Sequence, residues 1–183
     1  MRKEIEVKAK VENLDELAHK LEALGCVISE PKRQDDIIFV NYSEPYDQAM
    51  PGANFLRIRK SGGKILFTVK QPQTNELDCY EREVEISDAD EMYQAILLLG
   101  YHEACRVGKT RRTAKHGEYE ICLDEIDGLG AFVEVEKIAE DVEAEKVQNE
   151  LFAFLETLGI DENDRVINGY DTLVYRKSLE VES

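Results

Sequence analysis

Apolar residues recur every three to four positions in three segments of the chain, and a glycine follows each segment. This spacing is typical of amphipathic helices, and a glycine after the last apolar residue is a frequent helix stop. The three segments cover residues 13–25, 87–100 and 142–159. A weaker pattern over 170–178 favours a short fourth helix.

Between these segments apolar and polar residues alternate, which is the period of a β-strand. Eight segments have this pattern, at 3–11, 35–42, 55–60, 64–70, 79–86, 105–114, 118–126 and 131–138. Glycine-containing turns at 62–63, 116–117 and 127–130 join neighbouring strands into hairpins, and hairpins make antiparallel sheet. We therefore predict an α+β protein dominated by antiparallel sheet, with one domain over residues 1–183.

A strand followed by a helix occurs at residues 6–25 and again 75 positions later, at 81–100. Both copies begin with charged residues that alternate with apolar ones, and both end at a glycine. The similarity favours two related halves around one sheet, with coincidence as the alternative.

The polar faces of the predicted strands carry many full charges and few hydroxyl residues. Residues i and i+2 of a strand share a face. The cations placed in this way are Lys8, Arg57, Arg59, Lys70, Lys109 and Arg111. The carboxylates are Glu4, Glu6, Glu83, Glu85, Asp124, Glu134 and Glu136.

An ordinary sheet with one solvated face explains any single strand, but such a face normally mixes signs and includes hydroxyls. In a barrel with this face inward, the charges would line a hydrated tunnel, because unpaired charges are too costly for a dry core. Cations arranged in this way suit phosphate groups, and paired carboxylates suit Mg²⁺ or Mn²⁺.

The amino-acid composition further limits the classes of partner that the protein is expected to bind. The 183 residues include 39 Asp and Glu against 23 Lys and Arg, a formal net charge of −16. We expect neither a nucleic acid polymer nor an acidic membrane as partner, because this charge repels long polyanions. The net charge is still compatible with a short anion bound in a locally basic pocket. Without a long apolar run, a signal-peptide pattern or paired cysteine spacing, we expect a cytoplasmic protein with free thiols.

Taken in order, the charged motifs resemble those of the CYTH superfamily, the triphosphate tunnel metalloenzymes, which include class IV adenylyl cyclases and thiamine triphosphatases. The segment Glu4–Lys8 is similar to the ExExK signature of the family. The further matches are Arg57–Arg59 (RxR), Thr68–Lys70 (TxK), Glu83–Glu85 (a central acidic pair), Lys109–Arg111 (KxR) and Asp124–Glu136 (the Asp…LGxFxExE block). ExExK alone is a weak signal, whereas six elements in the family's order are specific.

The resemblance implies an eight-stranded antiparallel β-barrel, open at both ends, with amphipathic helices on its outer face. It implies that the six cations bind a triphosphate. It implies that Glu4, Glu6, Glu134 and Glu136 hold one or two Mg²⁺ or Mn²⁺ ions, with Glu83, Glu85 and Asp124 as further candidates. Lys70 is implied as a catalytic base, although Ile38 stands where the family's QxDxYF pattern has an aromatic hydroxyl.

Two reactions suit such a tunnel. Water attack on the terminal phosphorus would make a triphosphatase acting on thiamine triphosphate, tripolyphosphate or a nucleotide. Attack of the ribose 3′-hydroxyl on the α-phosphorus would make an adenylyl cyclase that converts ATP to cyclic AMP and pyrophosphate. We favour the triphosphatase, because water needs no purine pocket and none is readable in the sequence. A non-catalytic nucleotide or polyphosphate sensor is the alternative, and the resemblance leaves a homodimer open.

Overall fold

A computed structural model describes residues 3–42, 51–140 and 142–182. The segment 42–54, which contains Pro45, Pro51 and Gly52, has a sequence typical of a loop, and most of it lies outside the described residues. The strands are β1 (Lys3–Lys10), β2 (Lys32–Val40), β3 (Phe55–Ser61), β4 (Lys64–Pro72), β5 (Asp78–Ile86), β6 (His102–His116), β7 (Tyr119–Ile126), β8 (Gly130–Ala139) and the short β9 (Arg165–Val166). The α-helices are α1 (Leu14–Ala23), α2 (Ala89–Leu98), α3 (Ala144–Thr157) and α4 (Tyr170–Glu182). The eight predicted strands and the three predicted helices are all present, and the fourth helix is longer than predicted.

Local sequence signals explain where two of the helices begin. The side chain of Asn13 accepts hydrogen bonds from the amides of the first turn of α1, and Asp88 does the same for α2. Both side chains thereby satisfy amides that have no partner within the helix. Both helices end before a glycine with positive φ, Gly25 and Gly100, which is a backbone conformation that favours glycine.

The strands form one antiparallel sheet that closes into a barrel. Its order is β5-β4-β3-β2-β6-β7-β8-β1, and β1 pairs with β5 to complete the circle. The closing junction consists of two residue pairs, Glu4–Cys79 and Ile5–Asp78, whereas β1 pairs with β8 at eight positions. The predicted eight-stranded antiparallel barrel is confirmed.

The apolar outer face of the barrel is packed against the helices. On β1, β7 and β8 it contacts α1 and α3, where Leu21, Leu151 and Leu155 are fully buried. On β2, β3 and β4 it contacts α2 through Ile96. Burial of the outer face leaves the charged residues on the inner face, as the alternation along the strands predicts. Among the described residues, no helix is long and apolar enough to cross a membrane.

Helix α4 packs over one end of the barrel, which is called the covered end below. Tyr170 of α4 is buried in an apolar cluster with Val107, Ile126 and Phe132 from the inner faces of three strands. The rings of Tyr170 and Phe132 lie edge to face with their centroids 5.4 Å apart. The apolar ends of these inner faces provide a surface that a helix can cover, and burial of that surface stabilises the packing of α4 there.

The sheet consists of two equivalent halves, β1–β4 and β5–β8. Lys32 pairs with Arg111 as Asp36 pairs with Val107, so a shift of 75 residues exchanges the two pairs. The order of the strands in the sheet likewise relates β1 to β5, β3 to β7 and β4 to β8. This register supports the internal repeat seen in the sequence.

Candidate active site in the barrel interior

The inner faces of the strands enclose a cavity of about 350 Å³ that is lined mainly by charged side chains. Eleven of the thirteen residues predicted from the sequence line it: Glu4, Glu6, Lys8, Arg57, Arg59, Lys70, Glu83, Lys109, Arg111, Glu134 and Glu136. Glu85 lies beyond the cavity, where its exposed carboxylate pairs with Lys64 at 2.8 Å. Asp124 is fully buried behind the cations of β6.

Three carboxylates converge on one side of the cavity. Glu4 and Glu6 share a face of β1, and Glu136 lies opposite Glu6 on β8. Each offers an oxygen within 4.8 Å of the others. Burial, followed by repulsion from Glu4 and Glu6, raises the pKa of Glu136 to about 9. Burial likewise raises the pKa of Glu4 to about 7, although Lys70 opposes this. The cluster therefore contains more negative charge than its protein neighbours neutralise.

Lys70 lies between two carboxylates from different strands. Its Nζ is 2.6 Å from Glu81 and 3.4 Å from Glu4. Burial favours the neutral amine, but the charges of Glu4 and Glu81 prevail and hold the pKa of Lys70 well above its usual value. In the metal-free protein Lys70 is thus a cation, which opposes its predicted role as a base. The carboxylates that keep Lys70 protonated come from β1 and β5, and neither was predicted from the sequence to lie beside Lys70.

Arg57 lies at the same end of the cavity as Lys70, and only some of its N–H groups donate to residues of the protein. Its Nη2 donates to Thr68 at 3.2 Å, Glu81 at 3.2 Å and Glu83 at 3.3 Å. Its buried Nε has no hydrogen-bond partner among the described residues. A buried donor without a partner is costly, so this N–H is available to an anion in the cavity.

Arg59 is held more tightly than Arg57. Its Nε and Nη2 both donate to Asp36, each at 2.7 Å, in a buried bidentate pair. Burial alone would raise the pKa of Asp36, but the hydrogen bonds and charge of Arg59 lower it to about 2. Asp36 thus fixes the orientation of Arg59, which still lines the cavity.

The equivalent pair in the second half joins Arg111 to Asp124. Nε and Nη2 of Arg111 donate to the two oxygens of Asp124 at 2.7 and 2.5 Å, and Arg111 also contacts Glu134. Lys109 lies 3.5 Å from Asp124. Burial and the neighbouring Arg111 lower the pKa of Lys109 to about 8. Asp124 therefore serves in this structure as a fixed counter-charge for cations.

Glu134 is neutralised by the cations around it. Lys8 lies 2.9 Å from Glu134 and 3.2 Å from Glu6. Although burial favours the protonated acid, the charges of Lys8 and Arg111 hold the pKa of Glu134 well below its usual value. Glu134 is adjacent to the three-carboxylate cluster, but its charge is already compensated.

Three cavity residues that contact the predicted cations were not predicted from the sequence: Asp36, Glu81 and Tyr170. Glu81 shares a face with Glu83, so its position was available from the strand period. Asp36 alternates with Gln34 on β2 and could have been found in the same way. Tyr170 depends on how α4 docks, and no local pattern indicates this.

A family model of the CYTH domain matches residues 2–170 of the chain. MJ0240 of Methanocaldococcus jannaschii, which has a provisional adenylate cyclase name, is 29% identical over 170 residues, covering 91% of this chain and 95% of its own. The adenylate cyclase CyaB of Aeromonas hydrophila is 24% identical over 138 residues, covering 75% of this chain and 70% of its own.

Solved structures show the same fold. The PH1819 protein of Pyrococcus horikoshii OT3 has a TM-score of 0.76 and 27% identity, covering 95% of this chain and 99% of its own. HpAC1 of Hippeastrum, described as an adenylyl cyclase candidate with a dominant triphosphatase activity, has a TM-score of 0.61 and 19% identity, covering 97% of this chain and 96% of its own. With its family match over nearly the whole length, this chain belongs to the CYTH domain family.

Proposed function

We propose that this protein is a divalent-metal-dependent triphosphatase that binds its substrate inside the barrel. The observation that carries the proposal is one cavity that contains two kinds of charged group. Three carboxylates with uncompensated charge converge in it, and cations line the same cavity, among them Arg57 with an unpaired N–H donor. A metal ion and a phosphate chain together would neutralise both kinds, since each is attracted to one of them.

The residues present suit a hard divalent cation. Glu4, Glu6 and Glu136 supply only oxygen ligands, which Mg²⁺ and Mn²⁺ prefer. Burial, followed by repulsion from neighbouring carboxylates, raises the pKa values of Glu4 and Glu136, so a cation bound there would favour their ionised forms. Mg²⁺ or Mn²⁺ held there would supply Lewis acidity toward a phosphate oxygen or lower the pKa of a water molecule.

The cations would bind and orient the phosphate chain. Arg57 has an unpaired Nε, and Lys109 has a single ion pair, at 3.5 Å, among those that the structure shows. Arg59 and Arg111 are held in place by bidentate pairs, so their orientation is fixed before a ligand arrives. Catalysis would then rest on alignment of one P–O bond for in-line attack and on stabilisation of the charge that develops.

In this proposal Lys70 contributes charge and does not act as a base. With its pKa held well above the usual value, it keeps its proton at neutral pH. A protonated Lys70 between Glu4 and Glu81 also lies beside the metal-binding cluster, where it would contact the same phosphate as the metal.

Hydrolysis suits the cavity better than cyclisation. A triphosphate group needs only charged partners, and these form most of the lining of the 350 Å³ cavity. A cyclase must also hold a purine and bring the 3′-hydroxyl to the α-phosphorus. The second candidate is the class IV adenylyl cyclase, supported by the names of MJ0240 and CyaB. Because HpAC1 shares the fold, the fold does not separate the two reactions.

Product analysis tests the proposal. The purified protein is incubated with tripolyphosphate, thiamine triphosphate and ATP, each with Mg²⁺ or Mn²⁺. We expect orthophosphate from at least one of them, and none after EDTA treatment. Cyclic AMP with pyrophosphate would select the cyclase. Saturable binding without any product would select the sensor. A cytoplasmic location and a homodimer stay predictions.

A further inference from the structure

The phenol ring of Tyr170 contacts two lysines at the covered end of the cavity. Lys8 Nζ is 4.2 Å from the ring centroid, and Lys109 Nζ is 4.8 Å from it. Both distances are within the range of cation–π attraction. The ring therefore attracts both ammonium groups without offering them a hydrogen-bond acceptor.

The hydroxyl of Tyr170 has no hydrogen-bond partner in the part of the chain that the structure describes. The residue is 7% exposed, so water access is small. A buried phenol normally finds a partner, because burial of an unpaired polar group costs free energy. Tyr170 lines the cavity, so a ligand there is able to provide the missing partner.

The acceptors nearest in the protein are already engaged. After burial, Glu134 and Asp124 are the carboxylates that most raise the pKa of the Tyr170 hydroxyl. Glu134 is paired with Lys8 and Arg111, and both oxygens of Asp124 accept from Arg111. The remaining neighbours, Lys8 and Lys109, are donors. The carboxylates that act on this phenol are thus held by cations, and the hydroxyl has no hydrogen-bond partner among the described residues.

We propose that Tyr170 is a substrate-binding residue, whose hydroxyl donates a hydrogen bond to a phosphate oxygen bound near Lys8 and Lys109. This inference rests on the proposed function and assigns the covered end of the cavity as a phosphate position. Its ligand is an inorganic or organic triphosphate, bound through one phosphate group.

The assignment makes α4 part of the binding site. Glu76 accepts hydrogen bonds from the Gly169 amide at 2.7 Å and from the Thr172 hydroxyl at 3.0 Å, which fixes the first turn of α4 to the β4–β5 connection. Tyr170 lies within this turn. A ligand that engages its hydroxyl would add a further attachment of α4 to the barrel.

Tyr170→Phe tests the proposal, because it removes the hydroxyl and keeps the ring. Binding of tripolyphosphate is measured by calorimetry in EDTA, where no turnover occurs. We expect the affinity to fall about tenfold or more, as for a lost bond to a charged group. The melting temperature of the ligand-free variant should equal or exceed that of the wild type, because an unpaired buried hydroxyl is gone. Tyr119→Phe, which removes a hydroxyl bonded to Glu150 on the outer surface, is the matched control and should bind as the wild type does.

The outcomes separate the inference from the proposed function. Equal affinity of Tyr170→Phe and the wild type would overturn the inference and leave the proposed function intact. A wild type that binds tripolyphosphate neither in EDTA nor with Mg²⁺ would overturn both. If Tyr170→Phe does not fold, hydrogen exchange of the wild type decides, since tripolyphosphate should slow exchange in residues 170–177. Unchanged exchange there would overturn the inference.

Discussion

The two halves of the barrel place different charges at equivalent positions. At one junction between the halves, Glu81 of β5 lies opposite Lys70 of β4, and at the equivalent junction Glu6 of β1 lies opposite Glu136 of β8. Lys70 and Arg57 lower the pKa of Glu81 to about 2 in spite of its burial. Burial and like charges raise the pKa of Glu136 to about 9. Two junctions with the same backbone arrangement thus differ in charge. The pair Lys70–Glu81 is neutralised, whereas the pair Glu6–Glu136 requires a cation.

The equivalent ion pairs of the two halves also exchange their signs. Asp36 on β2 pairs with Arg59 on β3, while Arg111 on β6 pairs with Asp124 on β7. Both halves therefore have an ion pair at this place, but the strand that carries the carboxylate in one half carries the cation in the other. Residues that look alike in the sequence, as strand-face charges, divide into structural pairs and groups available to a ligand.

The largest expected effect comes from Glu136→Gln, which alters the uncompensated pair. Turnover should fall by about a thousandfold, because a metal supplies several kcal/mol of transition-state stabilisation. The melting temperature without metal should not fall, since the raised pKa of Glu136 leaves this buried group mostly uncharged at neutral pH and glutamine is uncharged too. Phosphate release across a Mg²⁺ titration, with a thermal melt in EDTA, measures both. Wild-type turnover at limiting metal would show that Glu136 is not a ligand.

Asp36→Asn should have the next largest effect, and on stability. It leaves Arg59 buried without its counter-charge, which costs about 3 kcal/mol of the free energy of unfolding. Asp124→Asn should cost less, because Arg111 keeps its contact with Glu134. Asp35→Asn, on the exposed face of the same strand, is the control and should barely change the urea midpoint. A larger loss for Asp124→Asn than for Asp36→Asn would contradict the comparison.

The pH dependence of stability should differ between the two kinds of carboxylate. The raised pKa values of Glu4 and Glu136 stabilise the metal-free protein below the ordinary glutamate pKa, and this stabilisation is lost as the pH rises through about 7 and 9. The lowered pKa of Asp36 contributes stability above the ordinary aspartate pKa, which is lost as the pH falls through about 2. The increase in melting temperature on adding Mg²⁺ should therefore grow from pH 5 to pH 9. The same increase at every pH would argue against metal binding by Glu4 and Glu136.

Glu85→Gln should have the smallest effect. Glu85 pairs with Lys64 outside the cavity, so activity and metal affinity should stay within about twofold of the wild type. The matched variant is Glu81→Gln, four residues earlier on the same face of β5, which removes a partner of Lys70 and should lower activity clearly. An equal loss in both variants would return Glu85 to the list of metal ligands.

Much of this arrangement follows from local sequence. The period of two assigns Glu4, Glu6 and Lys8 to one face of β1, and the same rule places Glu134 with Glu136 on β8. The turns that contain glycine fix which strands are neighbours. Because charged residues are excluded from the apolar outer face, the barrel interior is where they must lie.

The rest depends on contacts between distant strands. Whether Glu81 or Glu85 lies in the cavity depends on where β5 leaves the barrel, which its alternation does not specify. The protonation of Lys70 is decided by Glu4, which is 66 positions away in the chain. The role of Tyr170 requires the docking of α4, so it follows only from the folded structure.

The short junction between β1 and β5 has a mechanical consequence. The other seven junctions of the barrel contain between six and nine residue pairs, and this one contains two. The circumference of the barrel therefore changes most easily here, with little loss of backbone hydrogen bonding elsewhere. Glu4 and Lys70 lie across this junction and are joined by their ion pair. A bound anion that contacts both sides would link them and make the barrel wall stiffer at this junction than its backbone hydrogen bonds alone do.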